Sequence, residues 1–158
     1  MSKTTRATQT LSKAGIRFET VTYDYDPHAE RIGLQAAAAV GEAPHRVLKT
    51  LMAELDGKPV CVVVPSDREV SMKKLAAAFG GKSAQMMKPA DAERLTGYHV
   101  GGISPFGQRK LVPTAIEIAA MDEDMVYMNG GQRGLQVRLP PKDAQRVLKA
   151  IVAALVAD

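Results

Sequence analysis

The sequence predicts an α+β fold built on a mixed, mostly antiparallel sheet, able to curl toward a barrel and surrounded by helices. Three observations lead there. Val47 to Leu55 and Lys58 to Pro65 are apolar, β-rich runs joined by Asp56-Gly57, the strongest short hairpin signal. Helical and strand-like segments are interleaved without the strict alternation of a parallel βαβ protein. The 158 residues are 46% hydrophobic, enough for one sizeable core, so a single domain over 1–158 is expected.

The elements follow in order. Residues 4–14 form an amphipathic helix, with Ala7, Leu11 and Ala14 on one side and Gly15 as its stop. Arg17 to Tyr23 alternates polar and apolar residues and reads as a strand, broken by Asp24 to Pro27. An Ala-rich helix spans 31–40 and ends at Gly41, and Pro44 marks a turn. After the hairpin, whose Val60 to Val64 run suits a strand covered on both faces, Ser71 caps a helix to Phe79, closed by Gly80-Gly81. Pro89 opens a helix ended by Gly97. Strands are expected at 111–118, 125–128 and 135–139, with a turn through 129–134. Pro140-Pro141 starts a last helix over 141–156, with Val147, Ile151, Val152 and Leu155 on one face.

Composition excludes several chemistries. The single cysteine, Cys61, cannot form an internal disulfide, which fits a reducing, cytoplasmic compartment. The polar N-terminus lacks a signal core, and no apolar run reaches the ~18–20 residues of a membrane span. His28, His45 and His99 are scattered, so no metal and no cofactor are expected. Phosphate-binding, dinucleotide and hydrolase-elbow motifs are absent. A net charge of +4 permits a polyanionic partner without requiring one, and scarce aromatics argue against base-stacking platforms.

Five sets of residues are candidates for chemistry. Gly101-Gly102-Ile103-Ser104-Pro105-Phe106-Gly107 must be a loop, and its glycines let backbone amides approach an anion or a carbonyl; a plain tight turn is the alternative. Lys49 interrupts an apolar strand and shares a face with Val47 and Leu51, as an edge gatekeeper or as the floor of a pocket. Arg109, Lys110 and Arg133 are either phosphate anchors or solvated surface. Cys61, inside an apolar strand, reads as a core cysteine and not a nucleophile. Asp24 and Asp26, ahead of Pro27, read as turn formers.

Taken together, Tyr23-Asp24-Tyr25-Asp26-Pro27, Leu48-Lys49-Thr50-Leu51, Thr96 to Gln108 and Gly130-Gly131-Gln132-Arg133-Gly134-Leu135 resemble the YbaK/EbsC-type aminoacyl-tRNA deacylases. These are relatives of the editing insertion domain of bacterial prolyl-tRNA synthetases. The segments occur in the family order and cover nearly the whole chain. Leu48 stands where phenylalanine is expected and Gln132 where lysine is common; Leu48 bears on the pocket wall and so on amino-acid selectivity. The resemblance implies trans-editing hydrolysis of Cys-tRNA(Pro) by substrate-thiol-assisted ester cleavage, in which the cysteine thiol attacks its own ester, with the 3′ end of tRNA(Pro) and prolyl-tRNA synthetase as partners. It implies that Lys49 holds the terminal adenosine or a nearby phosphate, and that Gly101 and Gly102 fix the aminoacyl group. Tyr23, Thr50, Ile103, Ser104 and Pro105 would bind substrate or shape its loop, and Arg109, Lys110 and Arg133 would contact tRNA. Alternatives are a deacylase of Ala-tRNA(Pro) or another small aminoacyl-tRNA that uses an oriented water, and a non-catalytic RNA- or nucleotide-binding module.

Overall fold

A computed structural model describes residues 4–28 and 32–158. Its helices are α1 (Arg6–Lys13), α2 (Ile32–Val40), α3 (Met72–Ala78), α4 (Pro89–Thr96) and α5 (Pro141–Leu148). Its strands are β1 (Glu19–Thr22), β2 (Leu48–Leu55), β3 (Lys58–Pro65), β4 (Ala84–Met86), β5 (Thr114–Glu117), β6 (Val126–Asn129), β7 (Leu135–Leu139) and β8 (Ile151–Ala153). Short 3-10 turns occupy Pro44–Arg46 and Ile118–Asp122. Residue 31, the expected start of α2, and the polar Met1 to Lys3 lie outside the described residues.

The α+β expectation holds, with the strands divided between two sheets, neither of them closed. One sheet has the order β1-β7-β6 and is antiparallel throughout. The other has the order β4-β2-β3-β5-β8, antiparallel from β4 to β3 and parallel from β3 to β8. A parallel bridge between Val47 and Tyr127 links them.

Local chemistry sets the element ends. Thr5 and Thr8 form a reciprocal cap on α1. The Ser71 side chain accepts the Lys74 N–H at the start of α3. The hairpin closes through Asp56 and Gly57, both at positive φ (49° and 82°), as a two-residue turn of the twist-matched kind.

β3 is covered on both faces, as its continuous apolar run predicts. Cys61 and Val63 enter the core that holds Phe106, Met128 and Leu139. Val60, Val62 and Val64 enter a second core with Leu75 and Leu155. Each buried valine contributes about 1.5–3 kcal/mol relative to exposure.

The last helix is the main departure. α5 stops at Leu148, Lys149 turns left-handed (φ 51°), and β8 pairs parallel with β5. The Gln145 side chain donates to the Ala150 carbonyl, and the Gln145 carbonyl accepts the Ala150 N–H. An apolar run of β-branched residues fits either period, and the open edge of β5 decides for strand. β4, with no β-branched residue, was not expected. The strand expected at 111–118 is confined to Thr114–Glu117, the one at 17–23 to Glu19–Thr22.

Glu117 ties the chain end to this sheet. Buried at 3% exposure, it accepts N–H groups from Leu155 (2.7 Å), Val156 (3.2 Å) and Ala119 (2.9 Å). Glu117→Ala leaves three backbone donors without their acceptor. It should cost about 3 kcal/mol in urea denaturation, with Glu117→Gln costing less.

Tyr98 fixes the glycine-rich loop by donating its hydroxyl to the Phe106 carbonyl at 2.6 Å. Burial pushes its pKa up to about 12, against some opposing pull from the Arg6 charge. A folded pKa above the unfolded value favours the native state below pH ~10, and that contribution disappears as pH rises through ~12. Absorbance titration should show a tyrosine ionising near pH 12, and Tyr98→Phe should blunt the loss of stability between pH 10 and 12.

Candidate active site

β2 has β3 along its full length, whereas β4 covers it only at Ala53 to Leu55. Just ahead of β2, Val47 bridges to the other sheet. Between these points residues 48–52 line a cavity of about 410 Å³. α2, the start of α4, the loop at 100–103 and the sheet containing β6 and β7 complete its walls.

Lys49 and Gly101 line this one cavity. The Lys49 side chain is 19% exposed, and its Nζ lies 3.5 Å from Glu69 Oε1. Glu69 is 69% exposed, so the pair is weak and solvent-screened. A gatekeeper lysine projects from a free edge into solvent; this one lines an enclosure. Tyr23, Thr50 and Ile103 line it as well.

Among the described residues, three buried polar atoms make no hydrogen bond of good geometry within the protein: Thr50 Oγ1, Tyr23 Oη and, beside it, Gln136 Oε1. All three residues line the cavity. Each such atom costs about 1–3 kcal/mol when left unpaired, and native proteins seldom leave them so. Their convergence beside a cation prepares the cavity for a polar ligand. Burial raises the pKa of the Tyr23 hydroxyl, with Gln136 beside it partly opposing, so the group stays protonated near neutrality and can donate.

Gly101 carries φ +90°, a conformation that disfavours a side chain, and an added Cβ would lie 2.5 Å from the Tyr25 hydroxyl. An added Cβ at Gly102 would lie 2.8 Å from the Arg133 backbone nitrogen. The Asn129 side chain donates to the Gly101 carbonyl at 3.1 Å, and Gly102 donates its N–H to the His99 carbonyl. The turn is thus set between the end of β1 and the turn from β6 to β7.

The remaining expected residues lie elsewhere. Gly102, Ser104 and Pro105 are buried behind the cavity surface. Ser104 Oγ accepts the Phe106 N–H, and the Ser104 carbonyl accepts from the Gln108 side chain. Arg109 and Lys110 are exposed outside the cavity. Arg133 is exposed, but its Nε donates to the Val100 carbonyl at 2.9 Å. Gln136, Asn129 and Glu69 were missed by the sequence reading. The only available signal for Gln136 was its place on the polar side of an alternating strand, which reads equally well as solvated.

A protein nucleophile is not apparent here. Cys61 is fully buried, absent from the cavity wall, and burial pushes its thiol up to about 12. Ser66 lines the cavity, but its hydroxyl donates to the Pro44 carbonyl. Glu69 is the one carboxylate among the lining residues, and no histidine is among them. The cavity can grip and orient a polar, anionic-ended ligand and shield it from bulk water.

The chain is similar to several known proteins over much of its length. Enterococcus faecalis EbsC, whose name assigns it provisionally as a Cys-tRNA(Pro)/Cys-tRNA(Cys) deacylase, is 36% identical over 107 residues, 67% of this chain and 65% of that protein. The Escherichia coli multifunctional Ser/Thr-tRNA deacylase ProXp-y is 26% identical over 87% of this chain and 83% of its own. A crystal structure described provisionally as a trans-editing enzyme for prolyl-tRNA synthetase superposes with a TM-score of 0.82 at 22% identity, covering 97% of this chain and 96% of that one. The sequence profile of the aminoacyl-tRNA editing domain matches residues 26–147, and the chain belongs to that family.

Proposed function

We propose that this protein is a trans-editing deacylase that removes cysteine from Cys-tRNA(Pro), acting through a single editing domain over 1–158. The observation that carries the reading is the cavity itself. It joins a cation, a glycine turn and three unpartnered polar atoms, with no activated nucleophile among its lining residues.

A substrate that supplies its own nucleophile fits such a site. Cysteine's thiol has a free pKa near 8.5, so a few per cent is thiolate at neutrality. The thiolate sulfur bonds to the ester carbonyl carbon, and the bond from that carbon to the ribose oxygen breaks. The ribose oxygen takes up, by way of water, the proton that the thiol gave up and leaves as the tRNA hydroxyl, and water later opens the cyclic thiolactone to free cysteine. The protein's part is orientation and charge screening. Lys49 holds the terminal nucleotide by its ribose or phosphate, exchanging Glu69 for a better anion. Gln136 Oε1 and Tyr23 Oη accept from the aminoacyl ammonium, and the backbone at Gly101 flanks the ester. Arg109 and Lys110 are placed to meet tRNA phosphates outside the cavity. Prolyl-tRNA synthetase is the expected partner and the cytoplasm the expected location. The described residues contain no helix long and apolar enough to cross a membrane.

A second reading keeps the site and changes the substrate. The unpartnered Thr50 hydroxyl suits a hydroxylated side chain, and ProXp-y is named for Ser- and Thr-tRNA. Water would then attack the ester. Deacylation across Cys-, Ala-, Ser- and Pro-charged tRNA(Pro) separates the two: the thiol route requires Cys to exceed Ser sharply, and equal rates would exclude it.

Two variants test the site. Lys49→Ala should lower kcat/KM by about 100-fold or more, and retained activity would remove Lys49 from the mechanism. Thr50→Val removes an unpaired buried hydroxyl at nearly constant shape. It should raise unfolding stability by about 1 kcal/mol while slowing deacylation, and a loss of stability would show the hydroxyl to be structural.

A further inference from the structure

The basic side chain beside the glycine turn is already engaged with the turn's own backbone. The Arg133 guanidinium donates through Nε to the Val100 carbonyl at 2.9 Å and lies 5.4 Å from the centroid of the Tyr25 ring. The same Tyr25 side chain occupies the space where a Cβ on Gly101 would fall. The backbone of Gln132 and Arg133 likewise occupies the space beside Gly102. Asn129, at the end of β6, holds the Gly101 carbonyl. The 100–102 turn is therefore held by three side chains, those of Arg133, Tyr25 and Asn129, and by a backbone segment, while Val100 and Gly101 line the cavity.

We propose that Arg133 and Tyr25 form a clamp that sets the Gly101 turn, and that Arg133 is a positioning residue for deacylation and not a contact to tRNA phosphate. This deepens the deacylase reading and rests on it for its kinetic arm. The guanidinium is suited to the place because it stacks on a ring and directs a planar N–H at a carbonyl at once. Lysine keeps the charge but has no planar group that lies on the ring while donating to the carbonyl, so it cannot make both contacts as the guanidinium does. A positioning role and a phosphate contact therefore part company at the conservative substitution.

The test uses the full chain and Cys-tRNA(Pro). Arg133→Lys is expected to lower kcat at least 10-fold, with KM and the salt dependence of kcat/KM within twofold of the unsubstituted protein. Tyr25→Ala is expected to do the same, and Tyr25→Phe, which keeps the ring, to recover most of the loss. Amide hydrogen exchange at residues 101–103 should accelerate at least 10-fold in Arg133→Lys and Tyr25→Ala, with thermal melts confirming that both fold. Wild-type kcat and exchange in Arg133→Lys would overturn the clamp. So would a raised KM and a flattened salt slope in Arg133→Ala with exchange unchanged, the signature of a phosphate contact. The exchange arm needs no substrate. An unsubstituted protein inactive on every charged tRNA would sink the deacylase reading, while the exchange arm would still decide the clamp.

Discussion

One strand serves two sheets, and the rest of the molecule is arranged around that fact. β2 is paired with β3 from end to end, but its other side changes neighbour: Val47, just ahead of it, bridges to the other sheet, and β4 pairs with it from Ala53. The interval between them, 48–52, has only β3 as a strand partner among the described elements. A lysine there can enter a cavity without leaving the sheet, because its backbone is held by β3 while its side chain has a gap to fill. The rigidity of the site comes from β3, whose valines bury both faces of the strand in two separate cores.

The treatment of buried polar groups divides structure from function. Glu117 accepts three backbone N–H groups, Asn129 holds both Gly101 and the turn after it, and Thr96 donates to Ala92 and accepts from Tyr98. These groups close loops and pin the chain end. Tyr23, Thr50 and Gln136 come from three different strands or strand ends, and each leaves one buried atom unpaired in the same enclosure. Scattered defects would suggest loose packing. Their convergence is what the proposed site requires, local stability set aside where a substrate would supply the missing partners.

Much of this was legible in the residues. Asp56-Gly57 announced its hairpin, Ser71 its helix cap, and the valine run of β3 its double burial. Lys49 and the Gly101 turn stood out because each breaks a local rule, a charge in an apolar strand and glycines where an element would otherwise run. What was illegible depended on tertiary competition. Ile151 and Val152 fit a helical face until the edge of β5 offers them a partner. Gln136 looks like any outward strand residue until the fold buries it in the cavity wall. Arg133 looks like a surface cation, and only the meeting of the β1 end with the β6–β7 turn shows what it grips. Ser104 and Pro105 were readable as loop residues, but not as residues lying behind the cavity wall.

The central claim is that the unpartnered atoms and Lys49 together receive the aminoacylated end of a nucleic acid. The most direct measurement is NMR titration with a non-hydrolysable amide analogue, adenosine carrying cysteine through a 3′-amide. The account predicts saturable shifts concentrated at Tyr23, Lys49, Thr50, Gly101 and Gln136. Saturable shifts that bypass these five residues and cluster on another surface would contradict it.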